Sequence, residues 1–112
     1  MLPKEKRLNL KKEFKWVASG KKLESKYLKL FIRTGENNTP RIGIAVSSKN
    51  FRKAIERNRA KRLVSQAFQS TIYHLPSTIN IVALPKSGIL IVKSKDVVLD
   101  IERALRNEKI IN

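Results

Sequence analysis

A chain of 112 residues can form one domain around a single modest core, and its 41% hydrophobic content, four Gly and four Pro are those of a globular protein. Twenty-five Lys and Arg against nine acids give a formal charge of +16, which points to a polyanionic partner, nucleic acid before membrane. The absence of cysteine excludes a disulfide framework and a thiolate zinc site. The longest apolar stretch, 79–92, is interrupted by Pro85, Lys86 and Gly88 and is too short to span a bilayer, and residues 1–7 lack the apolar run of a secretory signal. A cytoplasmic, monomeric protein is expected, with 1–112 as a single domain.

Residues 1–10 are basic and poorly periodic and read as an extended arm, strictly 1–8. Lys11 to Ser19 reads as a short helix with Phe14, Val17 and Ala18 on one side, Asn9 as its N-cap and Gly20 as its stop. Trp16 points differently from Phe14, so one of the two rings is core and the other exposed.

Tyr27 to Arg33 is the clearest strand, because it alternates strictly. Leu28, Leu30 and Ile32 should face the core. Tyr27, Lys29, Phe31 and Arg33 form the other face, where rings alternate with cations. That pairing suits single-stranded nucleic acid: a base stacks on a ring while a cation meets the phosphate. It is also what an ordinary exposed strand with good β-formers looks like.

A turn over 35–40 leads to a second strand, Arg41 to Ser47. Its run of Ile42, Ile44, Ala45 and Val46 suggests a central position in the sheet. Asn50 is a candidate cap for the helix that follows.

That helix is the most unusual segment. Residues 52–68 contain six basic residues and one acid, Glu56. At 100° per residue, Ala60, Leu63, Val64 and Ala67 share a wedge, with Phe68 at its edge, that can dock on a sheet. Arg57 and Lys61 lie on one flank, Arg52, Arg59 and Arg62 on the other, and Asn58 between them. An exposed helix normally interleaves acids with its bases. Here the cations outnumber every internal partner, so a row of phosphates is the fitting one.

The helix continues to about Tyr73. His74, the one histidine, reads as a helix-end residue without a catalytic role. Thr78 to Leu84 is a third strand, and Ile89 to Val92 is either a short strand or packed loop. Ser94 or Asp96 caps a final helix to about Arg106 with an apolar stripe of Val97, Val98, Ile101 and Leu105. The residues alone therefore give an α+β sandwich with helices on one side of a small sheet.

No protein catalyst is evident. There is no Gly-rich phosphate loop and no close carboxylate pair, and Asp96 and Asp100 read as partners of a helix dipole. Composition alone fits a ribosomal-type RNA-binding protein equally well. A DNA reader is the less apt choice, because the bases wrap round the helix instead of gathering at its N-terminus.

Residues 41–47 (RIGIAVS), then 49–54 (KNFRKA), then 56–63 (ERNRAKRL) resemble the protein component of bacterial ribonuclease P. Arg57-Asn58-Arg59, Lys61 and Arg62 match that family's signature. The similarity extends over about 7–106, from Arg7-Leu8, Phe14 and Gly20 to the 79–83 strand and the last helix. It implies an αβββαβα fold with a left-handed βαβ crossover. It implies that the chemistry belongs to a partner RNA with Mg²⁺, which removes the 5′ leader of precursor tRNA. By resemblance, Arg52, Lys53, Arg57, Asn58, Arg59, Lys61 and Arg62 bind that catalytic RNA, and no residue of this chain is catalytic or a metal ligand. Phe14 and Phe31 match aromatics that line a leader cleft between the first helix and the sheet, and Trp16, Tyr27, Lys29 and Arg33 are expected beside them. The chain departs from the family's common pattern at Ala18, where a second aromatic is frequent, at Ser65, where Arg is frequent, and at Phe51, where a smaller residue is usual.

Overall fold

The computed structural model describes residues 2–111. A four-stranded sheet is built from β1 (Lys21–Glu24), β2 (Leu28–Thr34), β3 (Arg41–Ile44) and β4 (Ile79–Pro85), in the spatial order β1-β2-β4-β3. β1–β2 and β2–β4 are antiparallel, and β3–β4 is parallel. Helix α1 (Leu10–Ala18) precedes the sheet, α2 (Ala54–Thr71) connects β3 to β4, and α3 (Ser94–Asn107) ends the chain. The order is αβββαβα. The first strand of the βββ run, β1, is the one that the residue pattern did not reveal.

The helices lie on both faces of the sheet, not on one. Leu28, Leu30 and Ile32 of β2, as the alternation required, join Ile81 and Ala83 of β4 in the larger core. There they meet Ala60, Leu63, Val64, Ala67 and Phe68 of α2, with Val97, Ile101 and Leu105 of α3. Phe51 is fully buried in this core, so its bulk fills space that a smaller residue would leave to others. α1 covers the opposite face through Val17, which meets Val82 and Leu8, flanked by Leu10, Phe14 and Phe31. Asn9 caps α1 by accepting from the Lys12 amide at 3.4 Å. At Gly20 the chain runs so close to β2 that a Cβ would lie 2.4 Å from the Ile32 carbonyl oxygen.

β3 is an edge strand, not a central one. It is apolar on both faces because α2 packs on one, while on the other Leu10 lies over Gly43. Its open edge is covered by the N-terminal segment, where Leu8 donates to the Ile42 carbonyl at 3.0 Å and Arg7 bridges Ile42. The segment is therefore not a free arm. It carries a 3₁₀ turn at Lys4–Lys6, and Leu2 and Leu8 are buried. After β4, residues Ser87–Ile91 form another 3₁₀ turn that buries Ile89.

Asp100 does not act on its helix's dipole. Its carboxylate accepts the backbone N–H groups of Lys26 and Tyr27 at 3.0 and 2.9 Å, clamping the β1–β2 turn to α3. Lys86 holds the same turn through the Ser25 carbonyl at 2.8 Å and Glu24 at 3.0 Å. The hydrogen bond and charge of Lys86 keep the Glu24 carboxyl below its ordinary pKa. Asp96, by contrast, takes the helix-end role by accepting the Lys93 N–H at 3.0 Å. Asp100→Ala leaves two turn amides without their charged acceptor. It should lower stability by about 2 kcal/mol, read as a shift in the urea midpoint at unchanged slope.

Candidate nucleic-acid interface

Two surfaces carry the candidate residues. The first is the outward face of α2. The helix starts at Ala54, so Arg52 and Lys53 lie in its entry, and Glu56 rather than Asn50 completes the start by accepting the Lys53 backbone N–H at 3.3 Å. That use occupies the one acid of the segment. The three ion pairs among the described residues are Lys21–Glu108, Lys86–Glu24 and Arg106–Glu102, and none includes a base of 52–62.

The signature side chains divide by task. Arg57 is half-buried and donates to the carbonyls of Phe51 and Arg52, both at 2.9 Å, so it fixes the entry loop. Arg59 donates through Nε to the Leu90 carbonyl at 3.1 Å, which draws it toward the 87–91 turn. Asn58, Lys61 and Arg62 line one shallow groove with Ser65, Gln66 and Gln69, and Lys61 and Arg62 are exposed in it. Lys61 and Arg62 thus share a face instead of occupying opposite flanks. Ser65 is buried beside the N-terminal segment, among Leu2, Arg7 and Leu8, where its small side chain fits and a long Arg would have to displace that segment.

The second surface is the sheet face under α1. Strand register arranges its residues in rows: Arg33–Asn80–Arg41, then Phe31–Val82–Gly43, then Lys29 beside Leu84. α1 crosses the middle row, with Leu10 over Gly43 and Val17 on Val82. It separates the six residues expected to meet the leader. Phe14, Phe31 and Leu84 are partly buried together along one flank, with Lys29 exposed beside them. Trp16 and Arg33 belong to the other flank. There the Arg33 guanidinium sits 4.9 Å from the centroid of the Trp16 ring and donates to the Trp16 carbonyl at 3.2 Å. Trp16 is 39% exposed, so of the two α1 rings it is the open one. Tyr27 is in neither place: it lies in the clamped turn, and its ring packs against the larger core on the α2–α3 side.

Sequence reasoning missed Lys22 and Asn80. Lys22 stands opposite Phe31 on β1 and adds a cation to the groove. Asn80 is buried and holds the 35–40 loop, donating to Asn37 Oδ1 at 2.9 Å. A polar residue inside the apolar run 79–84 was its one signal.

Among the described residues, no three His, Asp or Glu side chains could together hold a metal ion, and no helix is long and apolar enough to cross a membrane. The arrangement provides cations that have no acid partner among the described residues on a helix, and rings between cations on a sheet.

That combination on an αβββαβα scaffold defines an RNA-binding α+β protein. The family model for ribonuclease P matches residues 2–109. The ribonuclease P protein component of Blochmanniella pennsylvanica is 30% identical over 103 residues, covering 91% of this chain and 90% of that one. That of Chromohalobacter salexigens is 37% identical over 68 residues, and the match spans 61% of this chain but only about half, 52%, of the relative. The RNase P protein from Thermotoga maritima superposes with a TM-score of 0.78 at 28% identity, covering 89% of this chain and 97% of that one. The Staphylococcus aureus RNase P protein shares the fold, with a TM-score of 0.79 at 20% identity over 96% and 98% of the two chains. The chain belongs to the family of bacterial ribonuclease P protein components.

Proposed function

We propose that this chain is the cytoplasmic, monomeric protein subunit of ribonuclease P, which promotes RNA-catalysed removal of the 5′ leader from precursor tRNA. The exposed face of α2, with Asn58, Lys61 and Arg62 at its centre, Arg52, Lys53 and Arg57 around its entry and Arg59 toward the 87–91 turn, holds the ribonuclease P RNA. The groove of Phe14, Lys29 and Phe31 holds the single-stranded leader. The observation that carries this reading is the pairing of cations on 52–62, which form no ion pair among the described residues, with a ring-and-cation groove on the neighbouring face.

The physical role is to lower the cost of joining two polyanions. Each phosphate neutralised releases counterions, so assembly by this route weakens with salt. Only the precursor carries a leader, so leader contacts favour it over the mature product. Mg²⁺ belongs to the RNA, whose phosphate oxygens are the hard ligands this ion prefers.

Precursor-tRNA cleavage by a bacterial ribonuclease P RNA at low Mg²⁺, with and without this protein, tests the reading. Cleavage should be restored by the protein and absent with the protein alone. RNA binding without any gain in cleavage would return the chain to a general structural RNA-binding role.

A further inference from the structure

Beyond the groove of Phe14 and Phe31, the opposite flank of α1 holds a cavity of about 290 Å³ lined by Glu13, Trp16, Glu36, Asn37, Arg41 and Asn80. Two of the chain's nine acids converge there, on a protein whose net charge otherwise favours phosphate. A carboxylate on an RNA-binding surface repels the backbone unless it meets a hydrogen-bond donor. Glu13 lines the cavity as a partly exposed side chain, and its Oε2 takes no hydrogen bond among the described residues. A carboxylate with no donor among its neighbours is one that an incoming N–H would stabilise.

The walls of the cavity are set in place. Asn80 donates to Asn37 Oδ1, and Asn37 Nδ2 donates to the Thr39 carbonyl at 2.8 Å and the Ile79 carbonyl at 3.2 Å, which ties the loop to β4. Trp16 is steadied by Arg33, which also donates to Ser19 Oγ at 2.5 Å. Arg41 forms no ion pair with Glu13 or Glu36 among the described residues.

We propose that this cavity takes one unpaired RNA nucleotide whose base bears an exocyclic amine: adenine, cytosine or guanine. The amine donates to the Glu13 carboxylate, the base lies against Trp16, and Arg41 meets the phosphate. Carboxylates accept from base amines in this way, and aromatic rings supply stacking that any base can use. Uracil is disfavoured, because its one ring N–H lies between two carbonyl oxygens that the carboxylate repels. A divalent cation is the poorer occupant: it needs more oxygen ligands than two acids supply, and Arg41 stands on the same wall. The proposal rests on the RNA-subunit reading only for the source of the nucleotide, which is either the leader or an unpaired position of the catalytic RNA.

Trp16 is the chain's single tryptophan, so its fluorescence reports on this cavity. The full chain is titrated with the hexanucleotides rA6, rC6 and rU6 without any other RNA. The amine-bearing oligomers should alter Trp16 emission and bind about tenfold more tightly than rU6. Glu13→Gln, which offers uracil a donor and removes the repelling charge, should raise rU6 to the level of the other two while leaving the urea midpoint in place. Equal binding of all three by the parent chain would overturn the proposal, as would discrimination that survives Glu13→Gln. A Mg²⁺-induced emission change lost in Glu13→Gln, without base discrimination, would overturn it in favour of a cation site. In the assembled enzyme, a penalty for uracil in the leader would name the substrate as the source, and indifference to leader sequence would name the catalytic RNA. The oligonucleotide result stands apart from the cleavage assay, so the failure of either reading is visible by itself.

Discussion

Lys61→Glu combined with Arg62→Glu is expected to weaken binding to the ribonuclease P RNA on the order of a hundredfold at moderate salt, with the fold intact. Both side chains are exposed, neither takes part in an ion pair among the described residues, and both line the open groove of α2. Removing them therefore costs the core nothing. The alanine pair gives the quantitative check. With two phosphates no longer neutralised, the log–log salt dependence of binding should become shallower by about 1.8 for duplex-like RNA. Arg57→Ala should behave differently. Its guanidinium holds the carbonyls of Phe51 and Arg52, so part of its loss should appear as a lower urea midpoint. An unchanged RNA affinity for the double charge reversal would move the RNA site off α2.

How much of this was legible in the residues depends on the range over which each feature is decided. The strict alternation of 27–33 and the wedge of α2 are local patterns, and Leu28, Leu30, Ile32, Ala60, Val64 and Ala67 are buried as those patterns require. β1 was not legible. Its four residues include one apolar side chain, Leu23, and an edge strand that pairs on one side needs no more. Without β1, Lys22 had no place beside Phe31.

Non-local packing accounts for the rest. An apolar run such as 42–46 signals cover on both faces, and at β3 the cover comes from α2 and from the N-terminal segment and α1, which no property of the run itself can reveal. The face chosen by α1 is likewise set by Gly43 and Val82, distant in sequence, which accept Leu10 and Val17. That choice divides the candidate leader residues. Alternation placed Tyr27, Lys29, Phe31 and Arg33 on one face, and it could not foresee a helix lying across the row of Phe31 or an Asp100 clamp holding Tyr27 in a turn.

Phe31→Leu should therefore reduce affinity for precursor tRNA on the order of tenfold while leaving mature tRNA unaffected, because one base loses its stacking ring. Leucine is the informative replacement. Phe31 packs with Phe14 and Leu84 against Val82, and an apolar side chain of similar bulk preserves that contact where alanine would open a cavity. Tyr27→Leu is the matched control: its ring rests on the larger core, so the preference for precursor should persist. Lys29→Ala should fall between them, losing a leader phosphate and flattening the precursor salt slope by about 0.7. Binding of both tRNAs by each variant, with the urea midpoint alongside, separates the outcomes. Equal loss for precursor and mature tRNA in Phe31→Leu would mean that the ring acts through the fold. Loss of the precursor preference in Tyr27→Leu, with Phe31→Leu unaffected, would place the leader over the β1–β2 turn and not beneath α1.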